Sequence, residues 1–168
     1  MQQNIKNSAR LNGLIVGVML SLKFVLSAQK YDVLASFSLF ISILIVFVLY
    51  RMSARFRDTK CEGTISYKHA FSYIFQVYVY GSIISSFVIL LYTSFVDTNY
   101  LGSMLDVILK LYEKINMRFD DKTYKVFETM YKPAPFAILN IISSLFVGAF
   151  WGLILAAFLK KEKSVFED

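Results

Sequence analysis

Lys23 is the one ionisable residue inside an otherwise apolar stretch, Leu11 to Ala28. A charge at the centre of a membrane helix costs about 2.5–3.5 kcal/mol on insertion scales, so its presence there calls for a reason. Two are open. The long stem can snorkel to the nearby outer interface, or the ammonium can face the bundle interior and meet an anionic lipid or substrate headgroup. Gln76, Tyr73 and Tyr80 in a third apolar stretch and Trp151 in a fourth are the other groups suited to line a ligand site or a pathway.

Residue types that enzymes use are sparse. His69 is the only histidine, which rules out a zinc-binding histidine pair, and it reads as an interfacial residue at the mouth of the third stretch. Cys61 is the only cysteine, so neither an intrachain disulfide nor a cysteine cluster can form. There is no glycine-rich phosphate loop and no nucleophile elbow. Asp120-Asp121 can be taken as paired acids, yet two carboxylates at the start of an amphipathic run read as helix caps. No catalytic residue, metal ligand or cofactor site is assigned, and binding is the chemistry left.

The surroundings of these residues are lipid. The chain is 57% hydrophobic and 18% charged, outside the usual range of a soluble domain with 168 residues. Val33 to Tyr50 carries no charge over a length that matches the hydrocarbon core at the helical rise. RMSARFRDTK follows, with Arg51, Arg55, Arg57 and Lys60 against Asp58, and a span that ends in such a cluster usually has that end in the cytoplasm. The net charge of +6 belongs to span ends and anionic lipid, and no basic stripe interleaved with stacking aromatics points to nucleic acid.

Four spans are predicted, at about 11–28, 33–50, 70–96 and 136–159, in a single all-α membrane domain: a four-helix transmembrane bundle. Met1 to Arg10 with the run after it resembles a secretory signal, but Lys23 interrupts the run and Leu26-Ser27-Ala28 is a poor cleavage site, so a retained helix is expected. Arg51 to His69 reads as a loop with a turn at Glu62-Gly63-Thr64. The third span is the most polar, which suits burial between helices. Residues 97–132 form an amphipathic helical periplasmic segment: Asp97-Thr98-Asn99 supply caps, Leu101 to Phe119 carry apolar residues at helical spacing, and a second short helix begins near Asp120. Pro133 and Pro135 open the last span. Lys6 and Arg10, the Arg51–Lys68 cluster, and Lys160, Lys161 and Lys163 gather on one side, opposite Lys30 and a long segment whose charges balance. Both termini are therefore expected in the cytoplasm of a bacterial inner membrane.

Packing signals are clearer than chemical ones. Gly13, Gly17 and Ser21 recur every four residues on the first helix, as do Ser144, Gly148, Gly152 and Ala156 on the last. Small residues at that spacing let backbones approach where lipid supplies no hydrophobic drive. The first and last helices are expected to touch along these faces, with a homodimer seam as the alternative.

Gly63-Thr64-Ile65-Ser66-Tyr67 with Ala70-Phe71, Asp97-Thr98-Asn99-Tyr100-Leu101, and Leu153 to Lys161 resemble the bacterial membrane proteins catalogued as domain of unknown function 4199. That family often has a proline where Thr98 stands. The resemblance implies a four-helix inner-membrane protein of Gram-negative bacteria with no established activity. The leading expectation is a non-enzymatic accessory or scaffolding subunit of the cell envelope, its partners membrane lipids and another inner-membrane protein or a second copy. A small transporter or lipid flippase through Lys23 and Gln76 is the alternative, and a membrane enzyme using Asp97, Asp120 or Asp121 is a third.

Overall fold

The structure, a computed structural model, describes residues 2–29, 31–115 and 120–161. The sequence readings for Lys30, Phe119 and Lys163 lie outside the described residues. Six α-helices follow in order among them: α1 (Gln2–Ser27), α2 (Asp32–Lys60), α3 (Tyr67–Leu91), α4 (Tyr100–Lys114), α5 (Asp121–Met130) and α6 (Pro133–Leu159). A π-helical turn, Tyr92–Val96, extends α3. Four segments are long and apolar enough to cross a membrane: Ile5–Ser27, Ser36–Lys60, Tyr67–Val96 and Pro133–Leu159. The class is all-α, as the hydropathy pattern requires.

Two helices run further than the apolar pattern suggested. The polar N-terminal residues continue α1, and the basic stretch from Arg51 to Lys60, expected as loop, continues α2. Nothing between Tyr50 and Lys60 breaks a helix, and the arginines, methionine and lysine there are good helix formers. The helix stops where Glu62 and Gly63 take left-handed φ values of 54° and 76°, and the Cys61 and Gly63 amides both donate to the Arg57 carbonyl at 3.1 Å. The turn expected at Glu62-Gly63-Thr64 is therefore present. Pro133 begins α6, where its fixed φ suits a first helical turn.

The central helix is α3. α1 packs along one of its sides and α6 along another, while α2 leans mainly on α1. This corrects the expected contact between the first and last spans: each small-residue face docks on α3 instead. A Cβ built on Gly13 would fall 2.5 Å from Tyr80 Cβ, and one on Gly148 would fall 2.6 Å from Tyr78 Cβ. The glycines of both stripes are thus consumed inside the chain and are not free to form a homodimer seam. The polar α3 takes the middle place because its serines and tyrosines find hydrogen-bonding partners there that lipid cannot offer.

At the end rich in arginine and lysine, the core is closed by Ile5, Ala9, Leu49, Phe56 and Tyr73, all buried. The Phe56 and Tyr73 rings stack with centroids 4.1 Å apart. Ile65 and Lys161 exchange two backbone hydrogen bonds of 2.9 and 3.0 Å, which ties the start of α3 to the end of α6. At the opposite end, Phe24, Tyr92 and Tyr100 meet edge to face, and Leu101 and Leu105 are buried, so the start of α4 caps the bundle. Outward rows such as Leu14, Val18 and Leu22 of α1 or Phe146, Phe150 and Leu153 of α6 stay exposed. An apolar perimeter of this extent fits lipid and would be a liability in water.

Candidate functional site

α6 is almost wholly apolar, and Asn140 is its one carboxamide. An amide inside a membrane helix needs partners. Its Nδ2 donates to Ser86 Oγ at 2.8 Å and to Ser85 Oγ at 3.2 Å, both on α3 and both buried. Beside this seam, α1 and α6 diverge because each packs on α3 rather than on the other. Ser143 and Ser144 are too small to fill the gap.

The result is a cavity of about 290 Å³ lined by all three helices. Lys23 enters from α1, Tyr78 and Ser85 from α3, and Asn140, Ser143 and Ser144 from α6. Leu20, Phe24, Ile89 and Val147 supply apolar wall. Lys23 lies six residues beyond Gly17, about 9 Å along the axis, toward the end capped by α4. Among the described residues, no carboxylate and no hydrogen-bond acceptor reaches its ammonium, and the only ion pair is Arg57–Asp58 at the other end. The cavity therefore offers one cation and the hydroxyls of Tyr78, Ser143 and Ser144, with no compensating acid, while Asn140 and Ser85 already spend their donors within the seam. That set suits an oxyanion.

The other anticipated residues are elsewhere. Gln76 donates to Ser72 Oγ at 3.0 Å, one turn earlier on α3. Tyr73 is fully buried at the basic end, where its hydroxyl takes hydrogen bonds involving Asn12 and Ser8. Tyr80 accepts from Arg10 Nε at 3.4 Å, with the guanidinium 5.8 Å from its ring centroid. Trp151 packs edge-on against Phe150, centroids 5.5 Å apart. None of the four lines the Lys23 cavity. Tyr78, Ser85, Asn140 and Ser143 were missed, and the available signal was Asn140 itself, a lone amide in an apolar span.

Groups suited to covalent chemistry are occupied or quiet. His69 Nδ1 lies 2.8 Å from Ser66 Oγ across the first turn of α3, and among the described residues no acid orients the ring. Burial pushes the Cys61 thiol above its ordinary pKa, which disfavours the reactive thiolate. Asp120 caps α5 by accepting from the Thr123 amide at 3.1 Å, and Asp97 accepts from the Asn99 amide at 3.2 Å. Asn99, not Asp97, occupies the cap position of α4, and its side chain makes no capping bond. No cluster of metal-ligating side chains occurs among the described residues.

Comparison with known families bears on the whole architecture. Residues 11–161 match the family described as "Protein of unknown function (DUF4199)". The chain belongs to that family. The match runs from the first span to the end of α6, so the Lys23 cavity of this DUF4199 protein lies wholly within it. No curated protein and no solved structure matches the chain.

Proposed function

We propose that this DUF4199 protein is a multi-pass protein of the bacterial inner membrane, with both termini in the cytoplasm. In this reading it is a non-enzymatic accessory subunit that holds an anionic lipid headgroup beneath Lys23. The observation that carries the reading is a cation without a carboxylate partner in a hydroxyl-lined cavity between three spans. Desolvating an ammonium in hydrocarbon is costly, and a phosphate-bearing ligand would repay it. The clustering of Arg51, Arg55, Arg57, Lys60 and Lys68 supports a cytoplasmic basic end, which puts the cavity in the outer half of the membrane.

Holding is favoured over passage because the core below the cavity is closed by Val77, Ile74, Tyr73 and Leu49, all buried. A flippase is the second reading, favoured by the cavity's charge and lateral position. The engagement of Asp97 and Asp120 by backbone amides supports a non-enzymatic role.

The test is to purify the protein in mild detergent and weigh the lipids that remain bound by native mass spectrometry. Lys23→Met and Ser144→Leu, which remove the charge and fill the cavity, should release a phosphate-bearing lipid that the parent retains. Unchanged retention in both variants would dismiss the site. Vesicles that scramble a fluorescent lipid only when Lys23 is present would move the assignment to the flippase, and a reporter fused after Lys161 checks the orientation. Cross-linking in the same detergent should recover a partner, either another inner-membrane protein or a second copy.

A further inference from the structure

A second crevice opens at the other end of the bundle, between α1 and α2. Its volume is about 430 Å³, and its walls are Ser8, Asn12 and Ile15 of α1 facing Met52, Arg55, Phe56, Thr59 and Lys60 of α2. The floor is rigid. Asn12 donates to the Tyr73 hydroxyl, Ser8 Oγ lies 3.4 Å from the same oxygen, and the Tyr73 ring is clamped against Phe56. The rim is cationic. Arg55 and Lys60 are exposed, and no carboxylate pairs with either among the described residues.

The crevice is graded along the membrane normal. Lys60, Thr59 and Ser8 stand at the polar extremity, while Ile15 is 47% exposed and belongs to the outward row that includes Leu11, Leu14 and Val18. A soluble anion would use the rim and ignore the apolar wall, whereas a phospholipid uses both. Arginine is the side chain best matched to phosphate oxygens, because its planar fork binds two of them at once. Basic pockets between spans on the cytoplasmic side are a recurring mode of anionic headgroup capture.

We propose that this crevice seats an anionic phospholipid of the leaflet at the basic end, its phosphodiester on Arg55 and Lys60 and one acyl chain along Ile15 and Met52. Ser8 and the pre-oriented Asn12 amide complete the headgroup contacts. The site shares helix α1 with the Lys23 cavity but no residue, and it lies at the opposite end of the bundle, so neither proposal depends on the other.

The experiment uses full-length protein in phosphatidylcholine nanodiscs titrated with phosphatidylglycerol, read by thermal unfolding and by native mass spectrometry of retained lipid. The double variant R55Q/K60Q should weaken phosphatidylglycerol binding by about tenfold or more, given the typical contribution of one basic residue at an anionic surface. Lys6→Gln with Lys68→Gln removes the same charge from the same end outside the crevice and should change binding little. Equal losses in the two double variants would overturn the proposal by reducing it to diffuse charge, and so would unchanged retention in R55Q/K60Q. Ile15→Asn should lower lipid retention without altering any response to inorganic phosphate in detergent. If inorganic phosphate alone stabilises the protein as strongly as the lipid does and R55Q/K60Q abolishes the effect, the oxyanion seat stands and its ligand is free phosphate. Lys23→Met should release only the lipid of the outer cavity, so the loss caused by R55Q/K60Q should persist in full on a Lys23→Met background, which keeps failure here distinct from failure of the outer cavity.

Discussion

Gly17 of α1 and Gly81 of α3 meet backbone to backbone: a Cβ on Gly17 would fall 3.0 Å from the Gly81 carbonyl oxygen, and one on Gly81 would fall 3.2 Å from the Gly17 amide nitrogen. The parallel pair α1–α3 is built on that approach. Gly13→Ala should separate it, since the added methyl meets Tyr80 Cβ, an atom fixed to the backbone. The expected cost is about 1–3 kcal/mol, the usual range for overpacking. Gly102→Ala on exposed α4 meets nothing within 4 Å and should instead gain about 0.5–1 kcal/mol of helix stability. Thermal unfolding in mild detergent reads both, and two changes of the same sign would contradict the assignment of α3 as the shared partner.

The α3–α6 seam allows a graded comparison. A methyl at Gly148 would lie 2.6 Å from Tyr78 Cβ, whereas one at Gly152 would lie 3.1 Å from Phe71 Cδ2, the edge of a ring that can shift. Gly148→Ala should therefore lower the unfolding temperature more than Gly152→Ala. The reverse order would mean that Tyr78 yields more readily than its buried position allows.

Tyr73→Phe keeps the ring stacked on Phe56 and deletes the hydroxyl that serves Asn12 and Ser8. A single lost hydrogen bond is worth about 0.5–1.5 kcal/mol, and stranding the half-buried Asn12 amide adds to it. Combining Tyr73→Phe with Asn12→Leu should recover part of the loss, because the stranded amide is gone. A double variant no better than the sum of the two singles would show that Asn12 finds another partner.

Helix α5 should lose order in acid. Hydrogen bonds from the Thr123 side chain and amide hold the Asp120 carboxyl below its ordinary pKa. A carboxylate with a depressed folded-state pKa stabilises at pH values above its unfolded pKa, and that contribution vanishes as the pH falls through the folded value. Amide exchange in α5 should accelerate as the pH drops below the ordinary carboxylate range, after correction for the intrinsic rate. Asp120→Ala should exchange faster already at neutral pH and lose the added acid dependence. An acid response identical to the parent's would assign the effect to another group.

Local signals identified most of the elements and few of the contacts. The Asp120 cap, the Glu62-Gly63 turn and the prolines that open α6 each act within a few residues, so they are legible in a linear string. The helical continuation past Arg51 was hidden because hydropathy marks where lipid ends and says nothing about where a helix ends. Gln76 looked like a pathway residue from its type alone, and its bond to Ser72 shows that a neighbour one turn away satisfies it. Asn140 carried a signal as the lone carboxamide of an apolar span, but only the structure shows that it bonds Ser85 and Ser86 on α3 and not Ser143 or Ser144 one turn along its own helix.

By itself the sequence determined an all-α chain with four apolar spans, small-residue faces on the first and last of them, and a lysine whose charge lipid cannot solvate. Only the tertiary structure decided that α3 receives both faces, and hence that Lys23 shares a cavity with Tyr78, Ser85 and Asn140. The reason is physical: periodicity defines which side of a helix is small or polar. Inside a bilayer, where every apolar face is already solvated, the choice among partners rests on shape and hydrogen bonding between distant residues.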